Sequence, residues 1–253
     1  MSTFAGKVAL VTGGTRGLGF AAAHAFVRRG ARVVITARSH DQGQQAVEDL
    51  RRAGGEARFI PGDIADPATP EALVRATVAT FGRLDFAYNN AGVDGRFAPL
   101  AELDIAVFEQ VINTNLRAVF LCMKYEIQQM LANGGGVIVN CSSIASTMAL
   151  GGLALYAAAK AGVNALTRNA AVEYSAQGIR TVTIAPGVIG TTLQQQAFAQ
   201  MDPAVRAKLT AMHPIGRFGK PHEIGDAVAW LCSEEAGFIT GECINIDGGA
   251  VAT

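Results

Sequence analysis

The chain lacks net charge: 21 lysines and arginines balance 21 aspartates and glutamates over 253 residues. Neutrality without basic runs leaves no electrostatic footprint for nucleic acid or an anionic membrane. Charged residues are scarce, at 17% against 50% apolar. That balance excludes a disordered chain and supplies a large buried core. Cysteine is sparse as well. Cys122, Cys141, Cys232 and Cys243 stand 19, 91 and 11 positions apart, with no CxxC pair, and are expected as reduced core thiols. His24, His40, His213 and His222 show no metal-ligand spacing, and His213 is expected at the surface. No apolar run approaches the ~18 residues of a membrane span. The opening MSTFAGKVALVTGG has no apolar signal core and runs straight into a strand. A cytoplasmic protein is expected, with neither nucleic-acid nor membrane partner.

What is present alternates. Short β-branched runs at Lys7–Thr12, Arg32–Ala37, Ala57–Pro61, Leu84–Asn89, Gly136–Ser142, Ile179–Ala185 and Cys243–Ile246 read as strands. Helical spacing fills Ala21–Arg29, Asp41–Ala53, Glu71–Phe81, Phe108–Leu131 and Tyr156–Gln177. Continuously apolar strands separated by helices predict an α/β fold: a single Rossmann-like, doubly wound parallel sheet of about seven strands with helices on both faces. Ligands of such a sheet sit outside the carboxyl ends of the strands, where strand order reverses. No linker or repeat divides residues 1–253, so one domain is expected. The segment 190–219, which carries Gln194–Gln196, Met201, Pro203 and Met212, is expected as a substrate flap.

The first strand ends in Thr12-Gly13-Gly14-Thr15-Arg16-Gly17-Leu18-Gly19, with the helical run FAAAHAF behind it. Glycine lets the turn take left-handed dihedrals and lets backbone approach a ligand. The helix start then offers free N–H groups and a positive dipole end to a pyrophosphate. The glycines at i, i+4 and i+6 differ from the GxGxxG spacing of the commoner dinucleotide fingerprint. At the end of the second strand, where an acid would bind the ribose 2′-hydroxyl of NAD, stand Ala37 and Arg38. With Arg16 nearby, two cations could meet a 2′-phosphate, which favours NADP(H) over NAD(H). An arginine here also serves solubility, or stacks on adenine in an NAD enzyme. Asp63, in Pro61-Gly62-Asp63-Ile64, reads equally as an acceptor for the adenine amino group and as a turn aspartate. Asn89-Asn90-Ala91-Gly92 puts small residues and an amide where a cofactor floor would lie.

Tyr156 and Lys160 stand at i and i+4 in LALYAAAKAGVNALT and share one helix face. A free phenol, with a pKa near 10, is a poor acid or base at neutral pH, and a nearby ammonium would lower it. Ser143 lies 13 positions earlier at a strand end. Ser142, one residue away, should point to the opposite sheet face.

With TGGTRGLG at 12–19, NNAG at 89–92, NTNL at 113–116, Ser143, YAAAK at 156–160, PG at 186–187 and TGECINIDGG at 240–249, the chain resembles the short-chain dehydrogenase/reductase family over essentially its whole length. The resemblance implies an oxidoreductase that moves a hydride between NADP(H) and a carbonyl/alcohol pair. It implies Tyr156 as general acid/base and Lys160 as the residue that lowers the phenol pKa and binds the nicotinamide ribose. Ser143 would polarise the substrate oxygen, and Asn115 would hold a water that links Lys160 to solvent. It further implies a dinucleotide held by Gly13, Thr15, Arg16, Gly17, Leu18, Gly19, Arg38, Asp63, Ile64, Asn90, Ala91 and Gly92. Pro186, Gly187, Ile189 and Thr191 would take the nicotinamide end, beside Tyr156 and Lys160. A small-molecule substrate and a homotetramer, joined through helices 108–131 and 156–177, follow from the same resemblance.

Met148, Leu150, Leu153, Met201 and Met212 suggest an adaptable apolar pocket for an uncharged ketone or secondary alcohol. The rivals are an NAD-preferring sugar or polyol dehydrogenase, a 3-oxoacyl thioester reductase, an epimerase or dehydratase using the same tyrosine, and a silent cofactor-sensing protein. Trp230 reads as core of the last helix, and Asp104 and Glu109 as a helix start and a solvated face.

Overall fold

A computed structural model describes residues 3–191 and 200–252. Seven strands, β1 (Val8–Thr12), β2 (Arg32–Ala37), β3 (Ala57–Pro61), β4 (Phe86–Asn89), β5 (Gly136–Cys141), β6 (Ile179–Pro186) and β7 (Cys243–Ile246), form one sheet in the order β3-β2-β1-β4-β5-β6-β7. Every pairing is parallel. The order reverses between β1 and β4, which opens a crevice at their carboxyl ends.

The strands are buried on both faces, which explains why their sequences run apolar instead of alternating. In β1, Ala9 and Val11 face one core, while Val8 and Leu10 face the other. The first core is closed by α1 (Gly17–Arg28), α2 (His40–Arg52) and α8 (Pro221–Leu231). The second is closed by α3 (Thr69–Phe81), α5 (Ala118–Asn133) and α6 (Ala154–Tyr174). Two shorter helices, α4 (Ile105–Ile112) and α7 (Pro203–Ala211), complete the set among the described residues. Helices α1 and α8 meet closely because Gly225 has no side chain: a Cβ there would run into the Ala21 carbonyl.

Three sequence expectations need correction. The helix read as Phe108–Leu131 is interrupted by a π-turn at Asn113–Arg117, where Asn115 turns inward to bond the backbone of Val93. The combined stretch Ile105–Asn133, with a mean hydropathy of 1.2, is long and apolar enough to match a membrane span. Its apolar character has two sources: Val111, Val119, Cys122, Met123, Ile127 and Met130 are buried, while Ile105, Phe108, Phe120 and Leu131 form an exposed face. Trp230 is 41% exposed rather than core, because Ile224, Val228 and Leu231 take the inward stripe of α8 and leave its neighbour outside. Of the thiols, Cys122, Cys141 and Cys232 are buried, Cys243 is half-buried, and all four are free.

Candidate active site

A cleft of about 760 Å³ opens at the strand-order reversal, within the range of small-molecule sites. Gly13, Thr15, Arg16, Gly17, Arg38, Asp63, Ile64, Asn90, Ala91, Gly92 and Thr191, all named from the sequence, line it. Leu18 and Gly19 lie behind this wall. Gly13 and Gly17 hold φ of 63° and 56°, which only glycine adopts cheaply. A Cβ on Gly19 would strike the Gly13 carbonyl and come within 2.7 Å of Asn90 Nδ2, so its bareness lets α1 abut the turn.

The residues fit a dinucleotide on three observations. The N-terminus of α1 has no side-chain cap and no acid in its first turn, which leaves its N–H groups for an anion. The cleft runs from there past Ala37, Arg38, Ser39 and Gln42, at the start of α2. The buried Thr36 hydroxyl, also on the cleft wall, has no partner among the described residues. Arg16 and Arg38 are exposed at this end and make no ion pair among the described residues. Asp63 does make the turn contact, accepting from the Ala65 N–H at 3.0 Å, and still lines the cleft.

Two residues of this wall were given no role in the sequence reading, and Thr12 is the one that binds it together. Thr12 Oγ1 accepts from the N–H groups of Asn90 (2.9 Å) and Ala91 (3.1 Å), and Asn90 Nδ2 donates back to the Thr12 carbonyl at 3.1 Å. Thr36 is the other; a threonine inside an apolar strand gives no signal of its own.

The chemistry-bearing side chains gather at the carboxyl end of β5. Lys160, 3% exposed, donates from Nζ to the Cys141 carbonyl at 2.7 Å, and Ser142 Oγ donates to the Lys160 carbonyl at 3.1 Å. The Ser142 hydroxyl is thereby occupied. Ser143 Oγ accepts from the Ala145 N–H at 3.2 Å. Its carbonyl accepts from Ser146 Oγ at 2.7 Å, and Ser146 accepts from Asn164 Nδ2 of α6 at 3.0 Å. Ser146 and Asn164 thus pin the Ser143 turn to the helix that carries Tyr156. Asn115, fully buried, clamps Val93 with both ends of its amide: Oδ1 accepts at 2.8 Å and Nδ2 donates at 2.7 Å.

The Lys160 Nζ lies 5.6 Å from the centre of the Tyr156 ring. Burial nevertheless pushes the Tyr156 phenol above its ordinary range, the charges of Cys141 and Asp94 add to this, and the Ser143 hydroxyl pulls the other way. Lys160 turns its own hydrogen bond to the Cys141 carbonyl, and burial lowers the lysine's pKa.

Pro186 ends β6, and Gly187 and Ile189 continue the chain past the sheet. The Gly187 N–H donates to the Ile246 carbonyl at 3.1 Å, and Thr191 brings its methyl group toward Gly17. His213 is not at the surface: it is 2% exposed, because both ring nitrogens find backbone partners here. Met148, Leu150, Leu153, Met201 and Met212 are all half-buried, and Gln194–Gln196 lie outside the described residues.

The family model described as "Enoyl-(Acyl carrier protein) reductase" matches residues 13–251. The chain is 40% identical to 2,5-dichloro-2,5-cyclohexadiene-1,4-diol dehydrogenase of Sphingobium indicum over 253 residues, the whole of both chains. It is 40% identical to cyclohexanol dehydrogenase of an Acinetobacter species, over 97% of this chain and 95% of that one. The crystal structure of levodione reductase superposes with a TM-score of 0.94 at 36% identity, covering 99% of each chain.

Proposed function

Because this chain belongs to the short-chain dehydrogenase/reductase family, oxidoreductases acting on CH–OH groups with a nicotinamide dinucleotide, we propose that it is an NADP(H)-dependent oxidoreductase interconverting a cyclic ketone and its secondary alcohol. The observation that carries the cofactor choice is the pair of exposed cations Arg16 and Arg38 on the cleft wall, without an ion pair among the described residues, with Ala37 instead of a carboxylate at the end of β2. The relatives named for cyclic alcohols and ketones support the substrate class. The half-buried apolar side chains Met148, Leu150 and Leu153 suit such a ring.

The bound dinucleotide supplies the hydride or accepts it. The chain manages the proton. Tyr156 gives its hydroxyl proton to the carbonyl oxygen during reduction and recovers it during oxidation. Ser143 Oγ donates to the same oxygen and stabilises the charge that develops there. Asn115 holds the turn around Val93 and Gly92 next to Lys160; a Cβ on Gly92 would lie 2.9 Å from Asn115 Oδ1 and 3.6 Å from Lys160 Nζ. With burial holding the phenol protonated, neutral pH favours the reducing direction.

The chain acts as one catalytic domain; of the segment 190–219, expected as a substrate flap, residues 192–199 lie outside the described ones. Two separate exposed apolar groups suit a homotetramer: Ile105, Phe108, Phe120 and Val172 on α4–α6, and Trp230 with Phe238 beside α8. The test is a panel of cyclic ketones, open-chain ketones, sugars and 3-oxoacyl thioesters with NADPH and NADH, followed by dihydronicotinamide absorbance. Fastest turnover of cyclic ketones with NADPH is expected. Preference for thioesters or for NADH contradicts the reading.

A further inference from the structure

His213 follows α7 and belongs to none of the groups that handle the proton. Its imidazole is buried, with two hydrogen bonds of fixed sense. Nδ1 lies 2.9 Å from the Leu209 carbonyl, which can only accept, so Nδ1 carries the hydrogen. Nε2 lies 3.0 Å from the Val188 backbone nitrogen, which can only donate, so Nε2 presents its lone pair. The arrangement admits one tautomer of the neutral ring; a second ring proton would face the Val188 N–H head on.

The surroundings are shaped to this ring. A Cβ on Gly187 would sit 2.8 Å from His213 Nε2 and 3.0 Å from the Asp247 Cα, so only glycine lets the imidazole approach the backbone. The Val188 peptide is held from both sides, because its carbonyl accepts from the Gly219 N–H at 3.0 Å. Ile215 N donates to the Gly248 carbonyl at 3.1 Å, and the Phe218 ring stands edge-on to the imidazole at 6.1 Å. Val188 lies between Gly187 and Ile189, in the segment proposed to take the nicotinamide end.

We propose that His213 is a positioning residue of the dinucleotide site: as the Nδ1-protonated neutral imidazole it fixes the Val188 peptide and so sets the backbone that receives the nicotinamide. The inference rests on the proposed function in one respect, that the Pro186–Ile189 segment faces the nicotinamide end. Histidine does here what a backbone carbonyl would do, but at a distance and angle that a short polar side chain cannot match. An asparagine reaches only as far as the Leu209 contact, whereas a glutamine carries its amide oxygen to the Nε2 position.

The experiment compares NADPH with 2′-phospho-ADP-ribose, which lacks only the nicotinamide, by calorimetric titration of the full chain and of His213→Gln, His213→Asn and His213→Ala. Melting temperatures are recorded in parallel. In His213→Ala and His213→Asn, affinity for NADPH is expected to fall about tenfold, the worth of one net hydrogen bond, with 2′-phospho-ADP-ribose unchanged. His213→Gln should recover most of the loss. Equal loss for both ligands, or no loss for either, overturns the role. So does asparagine matching glutamine. If the unaltered chain binds neither ligand, the dinucleotide reading fails and takes this inference with it; normal binding without the split overturns the inference alone.

Discussion

Lys160 and Tyr156 stand one helical turn apart on α6, with the ammonium 5.6 Å from the centre of the phenol ring. The lysine's hydrogen bond runs to the Cys141 carbonyl, and burial dominates both groups, raising the tyrosine and lowering the lysine. A protonated phenol is the form that donates. Carbonyl reduction should therefore hold a steady rate through neutral pH, while alcohol oxidation, which needs the ionised phenol, should climb on the alkaline side. Removing the positive charge in Lys160→Ala should carry the oxidation limb to still higher pH. Paired pH–rate profiles of kcat/KM in the two directions check this; an unmoved limb would exclude electrostatic control by Lys160.

The cofactor end makes a separate prediction. Ala37→Asp combined with Arg38→Ala replaces attraction for a 2′-phosphate with repulsion and supplies an acceptor for a 2′-hydroxyl. The NADPH to NADH ratio of kcat/KM should fall by about 10- to 100-fold. An unchanged ratio would remove these positions from cofactor selection.

Glu126 is a fully buried carboxyl on α5. It accepts from Asn89 Nδ2 at 2.9 Å on one oxygen and has no partner on the other among the described residues. Burial pushes it up to about 8, against a smaller lowering by Asn89. Because the folded pKa is raised, the associated stability is complete below the unfolded value and is lost as pH rises through the folded value. Glu126→Gln keeps the shape and removes the titration, so it should gain stability relative to the parent at pH 8 and not at pH 5. Denaturant unfolding at the two pH values measures the difference.

Asp85 presents the opposite sign. Burial raises its carboxyl, but Arg83, the Val8 N–H and Lys7 together hold it below the ordinary range. Its stabilisation is present above the unfolded pKa and is lost as pH falls through the folded one. Asp85→Ala should cost about 1–3 kcal/mol near neutral pH, chiefly by leaving the buried Val8 N–H without its acceptor. The cost should shrink in acid. Thermal melts across the acid range follow it.

The sheet was legible because strands buried on both faces must be apolar throughout, and the glycines punctuate them where the chain turns. All seven strands lie within two residues of where composition puts them. The side chains proposed for catalysis were singled out by spacing, Tyr156 and Lys160 by the helical repeat and Ser143 by its strand end, and their roles come from the family resemblance. What stayed hidden depends on partners distant in sequence. The break in the helix at Asn113–Arg117 answers to Val93, the burial of His213 to Val188 and Leu209, and the clamp at Thr12 to Asn90. Trp230 misled because its apolar neighbours in sequence fill the inward stripe alone.

Single-turnover reduction of a cyclic ketone by Tyr156→Phe, alongside its NADPH affinity, bears most directly on the proton-handling role of this phenol. The ring and its packing remain, so NADPH should bind as in the parent while hydride transfer slows by about 10²–10⁴. Transfer at the parental rate, with the hydroxyl gone, would contradict the account.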